Sequence, residues 1–391
     1  MKLLCPGVIF PETITLFGAP VFPEAIPPVL EEKIRQAELM TTRLEKISAH
    51  QALFLLKNCL SPPKLLYILR CSPTFSCLPS LQAFDETIRK CAGKIANIAM
   101  DDMVWRQSSL PVSRGALGTR RVDQLALPAS LASVHSAFDL IKQIYPQVDV
   151  NCIVSPAISH WQVKSISQPP ILTLRSTQKA WDILIVDQHY QTLLDASSQA
   201  ERTRLVAVSA KDSGAWLNAL PISVLGNLLD DNSFRISVGL RLGARLREPH
   251  VCRCKKLVDE LGRHGLSCQL SAGRHSRHPA LNDSLHRALI SCKVPNVLEP
   301  NGILRDDQKR PDGLTLIPWQ QGKALVLDVT CVDTVEETYL RGSAGQLGYA
   351  ANKAEELKRH KYRDPDGRYL FCPVAFETFG PFGNEASSLI Q

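Results

Sequence analysis

The sequence predicts a multidomain chain with a mainly α N-terminal half, a small Cys/His metal module and a C-terminal α/β domain on a central mixed sheet. Three observations carry this. The 391 residues are 45% apolar and 21% charged, enough for two or three cored domains and too apolar for a disordered chain. Apolar positions recur at three-to-four spacing through the first 150 residues and give way to short strand-like runs in the last 110 or so. Between them lies a Cys/His cluster inside the one stretch that holds the whole net charge.

That stretch, Arg241 to Arg310, carries 14 Lys+Arg against 7 Asp+Glu and five of the ten His; the rest of the chain holds 31 of each sign, so the net +7 is local. A basic run of this kind attracts phosphate backbones. Phe, Tyr and Trp are absent from it, which predicts gripping of a duplex backbone rather than stacking on single strands.

In chain order, MKLLCPGVIF reads as a strand rather than a signal peptide because Pro6 interrupts its short apolar run. Ile14 to Pro23 predicts a strand pair or a strand plus turn. From Pro28 to Leu60, the positions Leu30, Ile34, Ala37, Met40, Leu44, Ile47, Ala52, Leu55 and Leu56 predict one long amphipathic helix or two broken near His50. Pro62 and Pro63 fit the first turn of the next helix, where a missing N–H is not needed. Leu81 to Met100 and Leu127 to Tyr145 are further helices, with SRGALGTRR as the loop between them. Cys152 to Ala210 shows no clear period, and its SISQPP reads as a linker; Ala215 to Glu248 regains helical spacing. Asn282 to Cys292 predicts a helix, Val297 to Ile303 a strand, Gly313 to Ile317 with Ala324 to Cys331 a hairpin across PWQQGK, Ala344 to Tyr362 a helix and Tyr369 to Phe376 a closing strand. No window approaches 18 uncharged apolar residues, so no membrane partner is expected. Twelve Cys in a chain of this length are too few for a disulfide framework and predict reduced thiols.

The cluster has the spacing Cys252-x-Cys254-x9-His264-x3-Cys268, three thiolates and an imidazole for a tetrahedral structural Zn2+. His275 and His278 lie close enough in sequence to replace His264 as the fourth ligand, so the ligand set stays open here. A module this small cannot fold by burial alone and would take its stability from the metal. Around it, Arg241, Arg245, Arg247, Lys255, Lys256, Arg274 and Arg277 are the predicted nucleic-acid contacts, the first two being helical neighbours at a spacing of four.

Further on, Asp312 follows Arg310-Pro311 at the entry of one predicted strand, and Asp328 sits near the exit of the next. Antiparallel pairing brings both to the same end of the sheet, where two carboxylates suit a hard divalent cation such as Mg2+. Asp328 shares a strand face with Ala324, Val326 and Thr330 and so needs a partner. Glu299 is a further candidate ligand. Lys358 and Lys361, in ELKRHKYRD beside Tyr362, lie three apart on one helical face.

This pattern resembles the PD-(D/E)XK nuclease superfamily, with Thr330 where its Lys would stand. With the upstream Cys-Cys-His-Cys cluster and the KxxKY helix, the chain resembles the C-terminal part of non-LTR retrotransposon reverse transcriptase polyproteins that use a restriction-like endonuclease. LFGAPVF at 16–22 resembles the palm strand after the polymerase active site, and HQALFLLKNCLSPPKLLYILR with GALGTRR resembles the thumb and connector. The resemblance implies a palm remnant at 1–26, a helical thumb/connector at 27–150, a linker and helical region at 151–248, a zinc knuckle at 249–278 and a restriction-like endonuclease at 279–391. It also implies that Asp312 and Asp328 hold magnesium, that Lys358 and Lys361 serve the phosphate, and that double-stranded target DNA and element RNA are partners, with nuclear localisation after cytoplasmic assembly. No Tyr/Phe-x-Asp-Asp motif occurs, since Asp101-Asp102, Asp230-Asp231 and Asp306-Asp307 lack that context, so DNA synthesis is not expected of this polypeptide. The expected activity is metal-dependent nicking of target DNA to prime reverse transcription. The alternatives are a catalytically inactive zinc-containing nucleic-acid-binding remnant, and a chain that does not fold stably without its palm.

Overall fold

Short-range pairing starts the described chain: in the computed structural model, which describes residues 14–301, 303, 310–362 and 367–391, β1 (Thr15–Leu16) and β2 (Ala19–Pro20) form a two-residue hairpin. Its turn residues Phe17 and Gly18 both have positive φ, at 51° and 83°. The strand predicted for MKLLCPGVIF lies outside the described residues, as do 304–309 of the basic approach to Asp312. The chain forms two units: one comprises the N-terminal part through Val112, Ala116–Ala196 and Trp216–Leu242, and the other Ser113–Gly115, Ser197–Ala215 and Gly243–Gln391.

The first unit is helical. The stretch predicted as one or two helices is two, α1 (Ile26–Leu44) and α2 (Ala49–Leu55), the second running on as a wider turn to Leu60 before α3 (Pro62–Cys71). There follow α4 (Leu78–Ala96), α5 (Asp102–Ser108), α6 (Val122–Ser136), α7 (Phe138–Ile144), α8 (Val150–Ser165) and α9 (Gln178–Asp195). After α10 (Gln199–Val208), which belongs to the second unit, α11 (Asp231–Leu242) returns to the first. Helix α6 is buried on all sides from Val122 through Ala129, as expected of a helix apolar around its whole circumference. Its first two N–H groups donate to the carboxylate of Asp85 on α4, at 2.8 and 3.1 Å, a cap from a distant helix.

Cys152 to Ala210, read as partly linker, is instead α8, α9 and α10. Trp161 of α8 and Trp181 of α9 are fully buried, meet edge-to-face at 5.0 Å, and are joined by a hydrogen bond from the Trp161 indole N–H to the Trp181 carbonyl at 3.2 Å. Ala49–Cys71 is the one described stretch long and apolar enough by composition to cross a membrane; its helix breaks at Ser61 and 44% of its most apolar window is buried inside the protein. In the predicted helical stretch Ala215 to Glu248, only α11 is a full helix, ended by Gly243 at φ 63°.

In the second unit, α10 is followed by a hairpin of β3 (His250–Val251) and β4 (Leu257–Val258), then a one-turn helix α12 (His264–Ser267) and the long α13 (Ala272–Ser291). A four-stranded sheet then forms in the order β5 (Asn296–Leu298), β6 (Gly313–Thr315), β7 (Leu325–Val332), β8 (Leu370–Glu377). The first three strands are antiparallel; β8 is parallel to β7, reached through α14 (Glu337–Ser343) and α15 (Tyr349–Lys361), so the sheet is mixed. Alternation sorts β7 in two. Leu325, Leu327 and Val329 pack with Cys372 and Val374 against α13 and the C-terminal α16 (Asn384–Ile390). Val332, on the other face, packs with Ala375 against Ala351 and Ala354 of α15. Glu355 of α15 takes the N–H groups of Glu385 and Ala386, both at 3.0 Å, and so caps α16.

Candidate metal centres and phosphate surface

The β3–β4 hairpin and α12 together build the Cys/His cluster. Cys252 donates its N–H to Lys256 O at 2.9 Å and Lys255 closes the turn at φ 67°, which turns Cys252 and Cys254 toward one side. His264 and Cys268, four apart across α12, face them. The four ligand atoms lie within 4.8 Å of one another, with Sγ of Cys252 and Cys268 3.8 Å apart and Cys254 Sγ 3.2 Å from His264 Nε2. Two thiolates each about 2.3 Å from a tetrahedral zinc lie about 3.8 Å apart, the spacing of Cys252 and Cys268, so this group can hold a metal ion such as zinc. The backbone N–H of Cys254, with the His264 side chain behind it, lowers the Cys252 thiol to about 6, toward the thiolate that metal binding needs. The open choice of fourth ligand falls on His264: His275 Nε2 lies 3.0 Å from Gln269 O, and His278 faces Asp312. All eleven described cysteines are free.

At the other centre, the β6–β7 register Gly313↔Leu327 places Asp312 and Asp328 at one end of the pair. Asp312 donates its N–H to Leu327 O at 2.9 Å, and its Oδ2 accepts the N–H of Val329 at 2.6 Å. The Asp312 carboxylate thus continues the ladder where β6 has run out. Burial pushes its carboxyl above the ordinary aspartate range; the Val329 N–H opposes this and the neighbouring Asp328 charge adds to it. Asp328, 3% exposed, meets the Lys358 ammonium through Oδ2 and accepts the Tyr362 hydroxyl on Oδ1 at 2.8 Å. This ion pair with Lys358 is the contact that Oδ2, shielded from solvent, makes. Tyr362 is itself stacked on Phe371 of β8, ring centres 4.8 Å apart.

The structure therefore brings together Asp312, Asp328 and Lys358, but not Lys361, which is exposed; the residue that joins Lys358 is Tyr362, four positions on, where a helical turn returns to the same face. Glu299 is exposed and touches the site only through its N–H, 3.0 Å from Asp312 O. Two contributors were missed. His278 places Nε2 3.2 Å from Asp312 Oδ2, and buried Asn282 sits one turn further along α13, its amide 3.5 Å from His278 Nδ1. Their spacing of four was the only sequence signal, and Pro279 between them obscured the helix.

A cleft of about 740 Å³ runs from the cluster to the exit of β7, lined by Lys256, Arg274, Arg277, His278, Thr330 and Asp333 among others. Lys255, Lys256 and Arg274 are exposed, Arg274 with one nitrogen 3.0 Å from Ser267 O. Arg277 is half-buried, donates to Gly273 O one turn back on α13, and braces that helix to Leu266 O and the Cys331 sulfur. Arg245 pairs with Glu260 at 3.1 Å and Arg247 reaches His250 at 2.9 Å. Arg241 corrects the prediction: it is 4% exposed and its guanidinium donates to the carbonyls of Ala116 and Val112 at 3.1 and 2.9 Å, inside the first unit. Since Gly243 ends α11, Arg241 and Arg245 do not share a helical face.

Compared with known proteins, the chain matches no family model and no curated protein.

Proposed function

We propose that this chain is a metal-dependent DNA endonuclease of the PD-(D/E)XK type, acting as the C-terminal part of a non-LTR retrotransposon polyprotein that nicks target DNA for priming. One observation carries the reading: Asp312 and Asp328 meet at one end of adjacent antiparallel strands, with Lys358 on the second carboxylate and a basic cleft alongside. Lys358, from a helix, stands in for the lysine that Thr330 replaces.

Asp312 and Asp328 would hold a divalent ion such as magnesium. Such an ion supplies acidified water at neutral pH and charge relief on the phosphate. Lys256 and Arg274 hold the phosphodiester backbone. Tyr362 orients Asp328, and Lys358 steadies negative charge as it grows on the phosphate. In the hydrolysis, the water oxygen bonds to phosphorus, the bond from phosphorus to the 3′ oxygen breaks, and a proton ends on that oxygen. The products are a 5′ phosphate and a 3′ hydroxyl.

Incubating the full chain with supercoiled plasmid and magnesium tests this: nicked circles are expected from the wild type and none from Asp312→Ala. Cleavage persisting in Asp312→Ala refutes the assigned site. Thr330 at the lysine position favours a second reading, a zinc-containing nucleic-acid-binding remnant without catalysis, for which salt-sensitive binding without nicking is the expected result.

A further inference from the structure

We propose that the cleft beside the Cys/His cluster is a subsite for one unpaired nucleotide of a DNA strand, with its phosphate on Lys256 and Arg274 and its base stacked on Tyr339. This rests on the endonuclease reading and names the form of DNA that its site takes, a duplex with one nucleotide turned out. The cleft, of about 740 Å³, falls in the range of about 300–1,000 Å³ that encloses a single small ligand, the scale of a nucleotide rather than of a double helix.

Its lining has two chemistries. The cluster and α13 contribute the exposed cations Lys256 and Arg274. The end of β7 and the residues running into α14 contribute Asp333, Glu336 and Tyr339. A surface that only grips a phosphate backbone gains nothing from carboxylates, which repel it. The amino groups of bases, in contrast, donate to carboxylates, as cytosine N4 does to Asp or Glu. Asp333 is already taken, its Oδ1 accepting the Thr378 hydroxyl at 3.0 Å. Glu336 is exposed, and its carboxylate makes no hydrogen bond or ion pair with any described residue.

Tyr339 supplies the stacking surface. It is half-buried in the cleft lining, and its N–H is held by Glu336 O at 2.9 Å. Among the described residues its ring meets no other ring and its hydroxyl has no hydrogen-bond partner. Tyr362, at the neighbouring carboxylates, has both, in Phe371 and Asp328. Base–aromatic stacking tolerates any sequence, since every base has a π-face. A paired base has its faces covered by its neighbours, so the nucleotide must leave the stack to reach the tyrosine. The lack of aromatic residues between Arg241 and Arg310 hid this subsite, because its aromatic residue comes from α14.

The test uses the full zinc-loaded chain without added magnesium and reads anisotropy of two labelled probes, a fully paired duplex and the same duplex with one bulged cytidine. Wild type is expected to bind the bulged probe about fivefold or more tightly than the paired one. Tyr339→Ala should lose that preference and keep its affinity for the paired probe, while Tyr339→Phe keeps both. Glu336→Gln should narrow the preference for a bulged cytidine over a bulged thymidine. Unchanged zinc content and circular dichroism of Tyr339→Ala establish that it folds. Equal binding of both probes by wild type, or equal weakening of both in Tyr339→Ala, overturns the proposal. The two readings fail separately: Asp312-dependent nicking with no preference for the bulged probe leaves the endonuclease standing without this subsite, and a Tyr339-dependent preference without nicking does the reverse.

Discussion

Asp312 brackets Asp328: its main-chain N–H bonds the carbonyl of Leu327 just before that residue, and its side chain takes the N–H of Val329 just after it. Two carboxylates are therefore fixed near one another by backbone hydrogen bonds rather than by mutual attraction, which between like charges does not exist. The strain of that arrangement is electrostatic, and it is relieved by a proton, by Lys358 or by a cation.

The proton is the simplest case. Burial raises the folded-state pKa of Asp312 above its ordinary 3.8, and burial likewise raises Asp333, Glu355 and Glu377. A folded pKa above the unfolded one means that the protonated form is favoured by folding. The contribution is complete below the ordinary value and is lost as pH climbs through the raised value. Without added divalent ions, thermal melts of wild type and Asp312→Asn should converge on the acid side and separate toward neutrality, the variant being the more stable. A difference independent of pH would show that the charge of Asp312 is not what burial penalises.

Metal dependence of the Cys/His cluster gives a sharper outcome, because the β3–β4 hairpin exposes both Val251 and Leu257 and has little core of its own. Metal binding contributes about 10–16 kcal/mol in zinc-finger peptides, so its loss leaves such a module unfolded. Cys252→Ser, Cys268→Ser and His264→Ala should each lose the bound zinc and open the 249–278 region to protease. His275→Ala and His278→Ala should retain it. Zinc content by elemental analysis separates these cases, and zinc loss in His275→Ala would contradict the assigned ligand set.

Tyr362 offers a test of Asp328 without touching a charge. Tyr362→Phe keeps the stack on Phe371 and removes the hydroxyl from Asp328 Oδ1. A hydrogen bond to a charged group contributes about 1.5–3 kcal/mol, so stability should fall by that order. Tyr362→Ala should lose more, through the stack. Denaturant melts check the order; equal losses in both variants would mean that the hydroxyl contributes nothing.

The sequence was most informative where structure is local. Pro62 opens α3 as expected, the Gly313–Cys331 stretch forms its hairpin, and the Cys/His spacing leads to the four clustered ligands. What it hid depends on contacts made across the chain. Helix α6 starts at Val122 rather than Leu127 because Asp85, 37 residues earlier, satisfies its first donors. Helices α8 and α9 carry no stripe because Trp161 and Trp181 anchor helices whose remaining apolar residues are spread around them. His278 looked like a spare zinc ligand, since its contact to Asp312 spans 34 residues.

Arg241 shows how net charge and usable charge part company. The local excess of +7 counts it as a phosphate contact, yet its guanidinium is held by the carbonyls of Ala116 and Val112, and its own carbonyl accepts the Gln107 amide at 3.0 Å. Arg241→Ala would leave buried carbonyls without donors, at about 1–3 kcal/mol for such a group, and should lower the denaturation midpoint. It releases no counterion on DNA binding, so the slope of log affinity against log salt should stay as in wild type. Lys256→Ala and Arg274→Ala, at exposed positions on the cleft, should each reduce that slope by about 1 with little change in stability. Fluorescence anisotropy of a labelled duplex across a salt series reads the slope, and denaturant melts read the stability. If Arg241→Ala alters the slope while Lys256→Ala and Arg274→Ala do not, the phosphate surface is not the cleft beside the Cys/His cluster.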